Sequence, residues 1–474
     1  MSQGGAHAHR DAARPDSVEA IAAHLARVRF EDLPATTVAA AKAGILDAIA
    51  CALAGTDSVD IAAIVALVQD QGGKPSSTVW LGGGLKVPPA AAVLANAATI
   101  HQFDFDDTHD VAVCHPTSAS LAPALAIAEE IGGISGRELI TAVALSNDLT
   151  SRVALAIGGN LNAYPWFRAP VVGLFGATAA AAKIFGATEE QHREALGLTL
   201  PLVSGTLASL HHGGSSVRSI RDGLCYRNGV LAAELAMRGV RGDRGVFDGP
   251  YGYYQAFYRG EYHRNKLAGE LGTRYETDRV ALKPWPTIRH IHGQITALSD
   301  AMRENALTFE DVDHVTAFVG KINLGRCGPT HLGVVPRHRI DLLGNLPFAL
   351  GATLRHGGPS LKLYRDAALA DDVIINAVPK VRWEHDPAMD GPWTFEPGHI
   401  SLVTTSGKTI AQRCDVALGN PDRPLSTAQR HQKVFAGAAS AARPVPQARA
   451  REIIAAVEAL EDMADVSTLA SLLA

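Results

Sequence analysis

One stretch, residues 101–115, concentrates side chains that could transfer protons, and it is called the Asp-His loop below. It holds four aspartates and three histidines: Asp104, Asp106, Asp107, Asp110, His101, His109 and His115. A carboxylate that orients an imidazole and sets its pKa makes a general acid or base. Two alternatives stay open on the residues alone. The acids could cap a helix in a solvated loop, or they could hold a divalent cation, although no HExxH motif or paired cysteines accompany them.

Two arginines lie three residues apart in residues 211–223, the arginine segment. Arg218 and Arg221 follow a run rich in glycine and serine that leads into a predicted helix. Guanidinium groups bind carboxylates bidentately, and the start of a helix adds backbone donors, so this pattern favours a carboxylate clamp. The alternative is a surface loop with solvated arginines. A phosphate-binding P-loop is excluded because the GxxxxGK[ST] motif is absent.

A lysine between proline-restricted residues marks residues 282–292, the lysine turn. Pro284 and Pro286 restrict the backbone next to Lys283 and Trp285. Partial desolvation there would lower the pKa of the lysine towards that of a useful base. The alternative is a lysine that extends its ammonium into water at a domain edge.

Helices must position most of these groups, because residues 18–267 are rich in Ala and Leu with helical periodicity. The pattern predicts helices at 36–54, 88–101, 119–131, 136–156 and 170–185. Many of them are apolar nearly all round, which is typical of helices buried on several sides. We therefore predict a mainly α fold with one large helical domain.

The pattern changes near residue 275, where β-branched alternation begins to appear. Strands are predicted at 312–322, 373–383 and 399–417, with Ser406-Gly407 as a hairpin turn, and a helix at 292–305. A helical period returns at 447–474 and is expected to pack back on the bundle. The predicted organisation is a flexible tail at 1–16, a helical domain at 17–274 and 425–474, and an α+β domain at 275–424.

Composition narrows the class of protein. With 47% hydrophobic and 19% charged residues, the chain is expected to be globular, and a net charge of -5 gives no basic field for nucleic acid. The five cysteines are scattered and never form a CxxC pair, which argues against a disulfide framework or a zinc or iron–sulfur motif. Apolar tracts are interrupted before they could span a membrane, and no secretory signal is seen. We predict a cytoplasmic protein with no membrane segment.

Taken together, the three segments resemble the MmgE/PrpD family, which includes 2-methylcitrate dehydratase, cis-aconitate decarboxylase and iminodisuccinate epimerase. The resemblance begins at residues 45–51, continues through 101–116, 177–186 and 283–292, and closes at 421–426. It implies one large all-helical domain plus a smaller α+β domain, with the active site in the cleft between them. It also implies a homodimer that needs no metal or organic cofactor.

The resemblance carries over to individual positions. Asp104, Thr108 and His115 match acidic, hydroxyl and imidazole positions of the family, Lys283 matches its lysine, and His292 matches a histidine near the same pocket.

Two departures from the family pattern replace proton-transferring groups by arginine. Arg168 stands where relatives often have the histidine of Phe-His-Pro. Arg218 and Arg221 stand where relatives often have a lysine followed three residues later by a histidine. Arginine keeps the positive charge but hardly exchanges a proton at neutral pH. These positions are therefore expected to bind carboxylates.

The resulting hypothesis assigns each group a role. Arg218, Arg168 and Arg221 hold substrate carboxylates, and His292 is expected to bind the substrate in the same pocket. His115 and Lys283 move protons, Asp104 orients His115, and Thr108 hydrogen-bonds the substrate or that aspartate. The expected function is a cofactor-independent lyase, a dehydratase or decarboxylase, acting on a small di- or tricarboxylate without nucleic-acid or membrane partners. The alternatives are an epimerase of an iminodisuccinate-like dicarboxylate and a non-catalytic carboxylate-binding protein.

Overall fold

Alanine-rich segments form the helices of the first part of the chain, because alanine has the highest helix propensity and its small side chain lets helices pack closely. The computed structural model describes residues 15–158, 164–208, 215–327, 342–391 and 394–474. Residues 1–14 of the predicted tail and 211–214 of the arginine segment lie outside the described residues. The helices in this part are α1 (Ser17–Arg27), α2 (Ala35–Gly55), α3 (Val59–Gln71), α4 (Pro89–His101), α5 (Pro116–Ile131), α6 (Gly136–Leu155), α7 (Arg168–Ile184), α8 (Glu189–Thr199), α9 (Val217–Met237), α10 (Tyr253–Tyr258) and α11 (Arg264–Ala268). All five predicted helices are confirmed, with small shifts at their ends.

Close helix contacts position the arginine segment. Helix α9 packs against α4 and α7. Gly223 makes the α4 contact possible, since a Cβ atom there would lie 2.1 Å from the carbonyl oxygen of Leu94. Arg218 and Arg221 precede this glycine on the same helix, so they lie near the end of α4, where the Asp-His loop begins.

A short ladder joins the Asp-His loop to the lysine turn. The small strands of this part are β1 (Ser77–Thr78), β2 (Lys86–Val87), β3 (Thr108–His109) and β4 (Val280–Ala281). Strand β3 pairs antiparallel with β4, with Thr108 opposite Ala281 and His109 opposite Val280. Lys283 follows β4 by two residues and is therefore held next to the Asp-His loop.

The second part of the chain contains a four-stranded sheet. Its elements are α12 (His292–Glu304), β5 (Val312–Val319), α13 (Lys321–Cys327), α14 (Leu346–His356), α15 (Ala367–Asp372), β6 (Val381–His385), β7 (Gly398–Thr404) and β8 (Thr409–Cys414). The strand order is β6-β5-β7-β8, with β5 parallel to β6 and the other pairs antiparallel. Helix α12 packs on β7 and β8. The predicted hairpin at Ser406-Gly407 is confirmed, and Gly407 supplies the positive φ of 84°.

The strand predicted at 373–383 is wrong over its first part. Residues Val373–Ala377 form a π-helical turn directly after α15, and strand β6 begins only at Val381. Val373 and Ala377, four residues apart, are both buried, while Ile375 is 68% exposed. That burial pattern has a helical period, so the β-branched residues extend a helix here. The strand predicted at 312–322 also ends earlier, at Val319, because α13 follows.

The last helices return to the bundle, as predicted. They are α16 (Thr427–Ser440), α17 (Gln447–Glu458) and α18 (Ser467–Leu472). Helices α16 and α17 pack on α2, and α18 packs on α5. The fold is thus mainly α with a smaller α+β part, as expected. The predicted domain boundaries and the cleft between the domains stay predictions.

Within the described residues, helix α2 has the length and composition of a membrane span, which the sequence pattern did not predict. It has 21 residues and a mean hydropathy of 1.6 over its most apolar window. However, 72% of that window is buried inside the protein. The helix also carries Asp47, whose carboxylate is buried in an ion pair with Lys433 of α16. Helix α2 is therefore a core helix of the bundle.

Candidate active site

Lys283 and Asp104 form a buried ion pair between the lysine turn and the Asp-His loop. Nζ of Lys283 donates to the Asp104 carbonyl oxygen at 2.8 Å and to Oδ1 at 2.5 Å. Oδ2 of Asp104 accepts from Nη2 of Arg218 at 2.9 Å. The Lys283 side chain is fully buried. The structure thus brings together three residues predicted from three separate segments.

Asp104 is held as a carboxylate. Burial alone would raise its pKa, but Lys283 and then Arg218 hold the pKa well below its usual value. The orientation of His115 by Asp104 stays a prediction: the carboxylate oxygens of Asp104 bind these two cations, and Nδ1 of His115 contacts the Asp107 carbonyl oxygen instead. Asp104 also has a positive φ of 50°, a backbone conformation that aspartate tolerates better than most residues.

His115 precedes α5 as its N-cap residue and is held by the Asp-His loop itself. Its Nδ1 lies 2.7 Å from the Asp107 carbonyl oxygen and 3.4 Å from Oγ1 of Thr108. Burial lowers the pKa of His115 to about 3, although Asp106 acts in the opposite direction. The ring is therefore neutral at pH 7. Since a carbonyl oxygen can only accept, Nδ1 carries the proton and Nε2 keeps its lone pair.

A second imidazole lies next to His115 and was not among the predicted site residues. Nδ1 of His101 is 3.0 Å and 3.1 Å from the two carboxylate oxygens of Asp106, and the His101 and His115 ring centroids are 4.7 Å apart. Ligand atoms of His101, Asp106 and His115 all lie within 4.8 Å of one another. Imidazole and carboxylate groups at this spacing are the donors that a divalent cation uses, as the metal alternative expects. The short spacing of these residues was the signal available in the sequence.

The remaining predicted arginines, Arg168 and Arg221, bind main-chain oxygens of the Asp-His loop and of α9. Arg168 begins α7, and its Nη1 donates to the Ala112 carbonyl oxygen at 2.8 Å. Nη1 of Arg221 donates to the Arg218 carbonyl oxygen at 2.7 Å, and its guanidinium lies 3.8 Å from the centroid of the Phe167 ring. Arg221 also lines a cavity of about 380 Å³. Other residues of its wall are Phe167, Ser204, Thr206, Ser215, Leu224 and Cys225.

His292 is fully buried and contacts its own segment. Its Nε2 is 3.2 Å from the Thr287 carbonyl oxygen, and its Nδ1 is 3.4 Å from Nη1 of Arg289. Burial, and then the positive charge of Arg289, lowers its pKa well below the usual value. Arg289 forms a bidentate pair with Asp110 at 2.8 Å and 2.7 Å. The Arg289–Asp110 pair holds the lysine turn against the Asp-His loop. His292 contacts Arg289 and the main chain of the lysine turn, so its contacts stabilise that turn.

Two family models match most of the chain. The MmgE/PrpD N-terminal domain matches residues 19–265, and the MmgE/PrpD C-terminal domain matches residues 285–461. The chain is 27% identical to the cis-aconitate decarboxylase-like protein oryM of Aspergillus oryzae, over 93% of this chain and 94% of that protein. It is 27% identical to cis-aconitate decarboxylase of Mus musculus, over 90% and 87% of the two chains. It is 28% identical to cis-aconitate decarboxylase of Homo sapiens, over 84% and 82%.

Proposed function

Because the chain belongs to the MmgE/PrpD family, we propose that it is a cofactor-independent lyase that removes a proton next to a carboxylate of a small di- or tricarboxylate. The names of two of its relatives, which are cis-aconitate decarboxylases, support a lyase of this type. The observation that carries the proposal is the hydrogen bond from Nδ1 of His115 to the Asp107 carbonyl oxygen, because it leaves the lone pair of the imidazole on Nε2. This leaves Nε2 as a base beside a cluster of cations.

The charge of the cluster suits an anionic substrate. Lys283 and Arg218 contribute two positive charges and Asp104 one negative charge, which leaves one positive charge uncompensated among these three groups. A substrate carboxylate would neutralise it. Arg168 and Arg221 would add contacts to the other carboxylates, since arginine binds them through two parallel hydrogen bonds.

Proton removal next to a carboxylate creates enolate-like charge. Preorganised cations such as Lys283 and Arg218 stabilise such charge without reorganising during the reaction. In a dehydratase, the electron pair of the broken C–H bond forms a double bond as the β-hydroxyl leaves with a proton. In a decarboxylase no C–H proton is removed first: the C–C bond to a carboxylate breaks, CO2 leaves, the electron pair of that bond stays as enolate-like charge, and the carbon takes up a proton from water.

Lys283 fits an electrostatic role better than that of a second base. Two of its hydrogen bonds go to Asp104, and its side chain is fully buried. An epimerase needs proton-moving groups on both faces of the substrate, so we rank the lyase first. We also propose that the protein is cytoplasmic and forms a homodimer; light scattering of the purified protein would test the dimer.

The test is proton NMR in D2O with citrate-like, aconitate-like and iminodisuccinate-like acids. We expect new olefinic signals or loss of CO2. His115→Gln should lower the rate by about 100-fold or more, which is the usual contribution of a general base. The matched control is His314→Gln, which changes a histidine paired with Asp313 on strand β5 and should keep full activity. Deuterium uptake at a stereocentre without new carbon species would establish an epimerase. No change with any acid would favour a binding protein.

A further inference from the structure

A second buried lysine lies next to the candidate active site but on helix α16, near the end of the chain. Lys433 is 6% exposed. Its Nζ donates to Oδ1 of Asp47 at 2.6 Å, to the Phe105 carbonyl oxygen at 2.7 Å and to the Lys283 carbonyl oxygen at 3.0 Å. An ammonium has three N–H donors, so these three acceptors account for all of them.

The two carbonyl groups belong to the segments that carry the ion pair of the site. Phe105 directly follows Asp104, and the other carbonyl is that of Lys283 itself. Nζ of Lys433 also lies 3.8 Å from the centroid of the Phe105 ring. One ammonium therefore ties the main chain of the Asp-His loop to that of the lysine turn, next to the contact between Asp104 and Lys283.

The Asp47 carboxylate keeps the Lys433 side chain protonated and therefore charged. Burial alone would lower the pKa of Lys433, but the Asp47 carboxylate raises it above its ordinary value. Hydrogen bonds from a charged donor are roughly twice as strong as those between neutral groups. Helix α2, which carries Asp47, is a core helix and gives the tie a rigid base.

We propose that Lys433, held by Asp47, is a positioning residue. It fixes the separation of Asp104 and Lys283 and so determines where the Lys283 ammonium lies. This inference rests on the proposed function for its kinetic consequence. The accessibility of the Lys283 ammonium, however, can be measured by chemical labelling without turnover. If the Lys283 ammonium is displaced, substrate carboxylates still bind the arginines, so kcat should fall by a larger factor than KM rises.

The chain offers a matched control in Lys183 of α7. Its Nζ also binds main-chain carbonyl oxygens, those of Leu25 at 2.7 Å and Val28 at 2.8 Å, at the end of α1. Within the described residues, the Nζ hydrogen bonds of Lys183 go to main-chain oxygens between Leu25 and Val28, and none goes to the Asp-His loop or the lysine turn. Lys183→Met removes a similar tie from the bundle without touching the site.

The experiment compares Lys433→Met, Asp47→Asn and Lys183→Met in the full-length protein. Misplacement of a reacting group by about 1 Å can cost 100-fold. We therefore expect kcat to fall about 100-fold in Lys433→Met with KM nearly unchanged, and to fall less in Asp47→Asn. Lys183→Met should keep its kcat. If Lys433→Met does not fold, Asp47→Asn still tests the tie.

Reductive methylation of Lys283, mapped by mass spectrometry, gives the readout that needs no turnover. Local opening of the tie should raise its labelling rate by about tenfold in Lys433→Met but not in Lys183→Met. Raised labelling without turnover of any acid would leave the positioning role intact and refute the proposed function. Unchanged labelling, or a fall in kcat that Lys183→Met shares, would overturn the positioning role.

Discussion

Replacing Asp104 by asparagine would remove the carboxylate to which both Lys283 and Arg218 bind. The Lys283 side chain is 0% exposed and that of Asp104 is 11% exposed. Water therefore cannot readily solvate the Lys283 ammonium once the carboxylate is gone. Removing one partner of a buried ion pair costs about 3–5 kcal/mol of unfolding free energy. We expect about 3 kcal/mol, because Arg218 is 16% exposed and can partly rehydrate. Asparagine accepts the positive φ of this position, so backbone strain should add little.

The assay is urea unfolding of the wild type and Asp104→Asn at several pH values. The folded-state pKa of Asp104 is below its usual value. Its stabilisation is therefore complete above the unfolded-state pKa, near 4, and is lost only as the pH falls through the folded-state pKa. The difference between wild type and variant should stay constant from about pH 8 to pH 5.

Asp422→Asn serves as the control, because it breaks an exposed pair with Arg279 through the same chemical change. Exposed pairs contribute about 0–1 kcal/mol. A cost for Asp104→Asn as small as that of the control would refute the reasoning, because it would mean that the two cations do not need this carboxylate. In the same variant, activity should fall at least about 100-fold if the cluster stabilises enolate-like charge.

Three further predictions concern titration, thiols and metals. Burial lowers the pKa of His24 to about 4 and that of His192 to about 3. Below about pH 6.5 these imidazoles take up protons in the unfolded chain but not in the folded chain. The free energy of unfolding should therefore fall towards pH 4, by about 3 kcal/mol for His192 alone. In urea unfolding, His192→Leu should flatten that decline, and an unchanged slope would contradict the assignment. All five cysteines are buried thiols. A thiol-specific disulfide reagent should therefore react slowly with the native protein, whereas in urea it should react with all five thiols. Dialysis against EDTA should leave activity unchanged, whereas a loss restored by a divalent cation would show that activity needs a metal, for which His101, Asp106 and His115 are the candidate ligands.

The helices were predictable because their signals are local. Periodicity, proline at the first turn of α4 and α5, and glycine after α5 are all readable within about one turn of each helix end. The segment at 373–383 was not predictable in the same way. Its β-branched run is typical of a strand, but burial against neighbouring helices decides the period, and Val373 and Ala377 show a helical one.

The contacts of the site were harder to predict than its residues. The sequence indicated Asp104 and Lys283 but paired Asp104 with His115, because these two are close in the chain. In the structure the carboxylate binds Lys283, which is 179 residues away. Lys433 has no local motif at all, and its partner Asp47 lies 386 residues away. No spacing rule connects residues so far apart.

The sequence by itself therefore determined the mainly α fold, the family resemblance and most of the side chains that form the candidate site. Only the tertiary structure decided which cation each acid faces, which histidine is neutral and which nitrogen of His115 keeps a lone pair. The physical reason is that protonation depends on burial and on charges within a few ångströms. At this site those charges come from α9, the lysine turn and α16, segments that meet only when the chain folds.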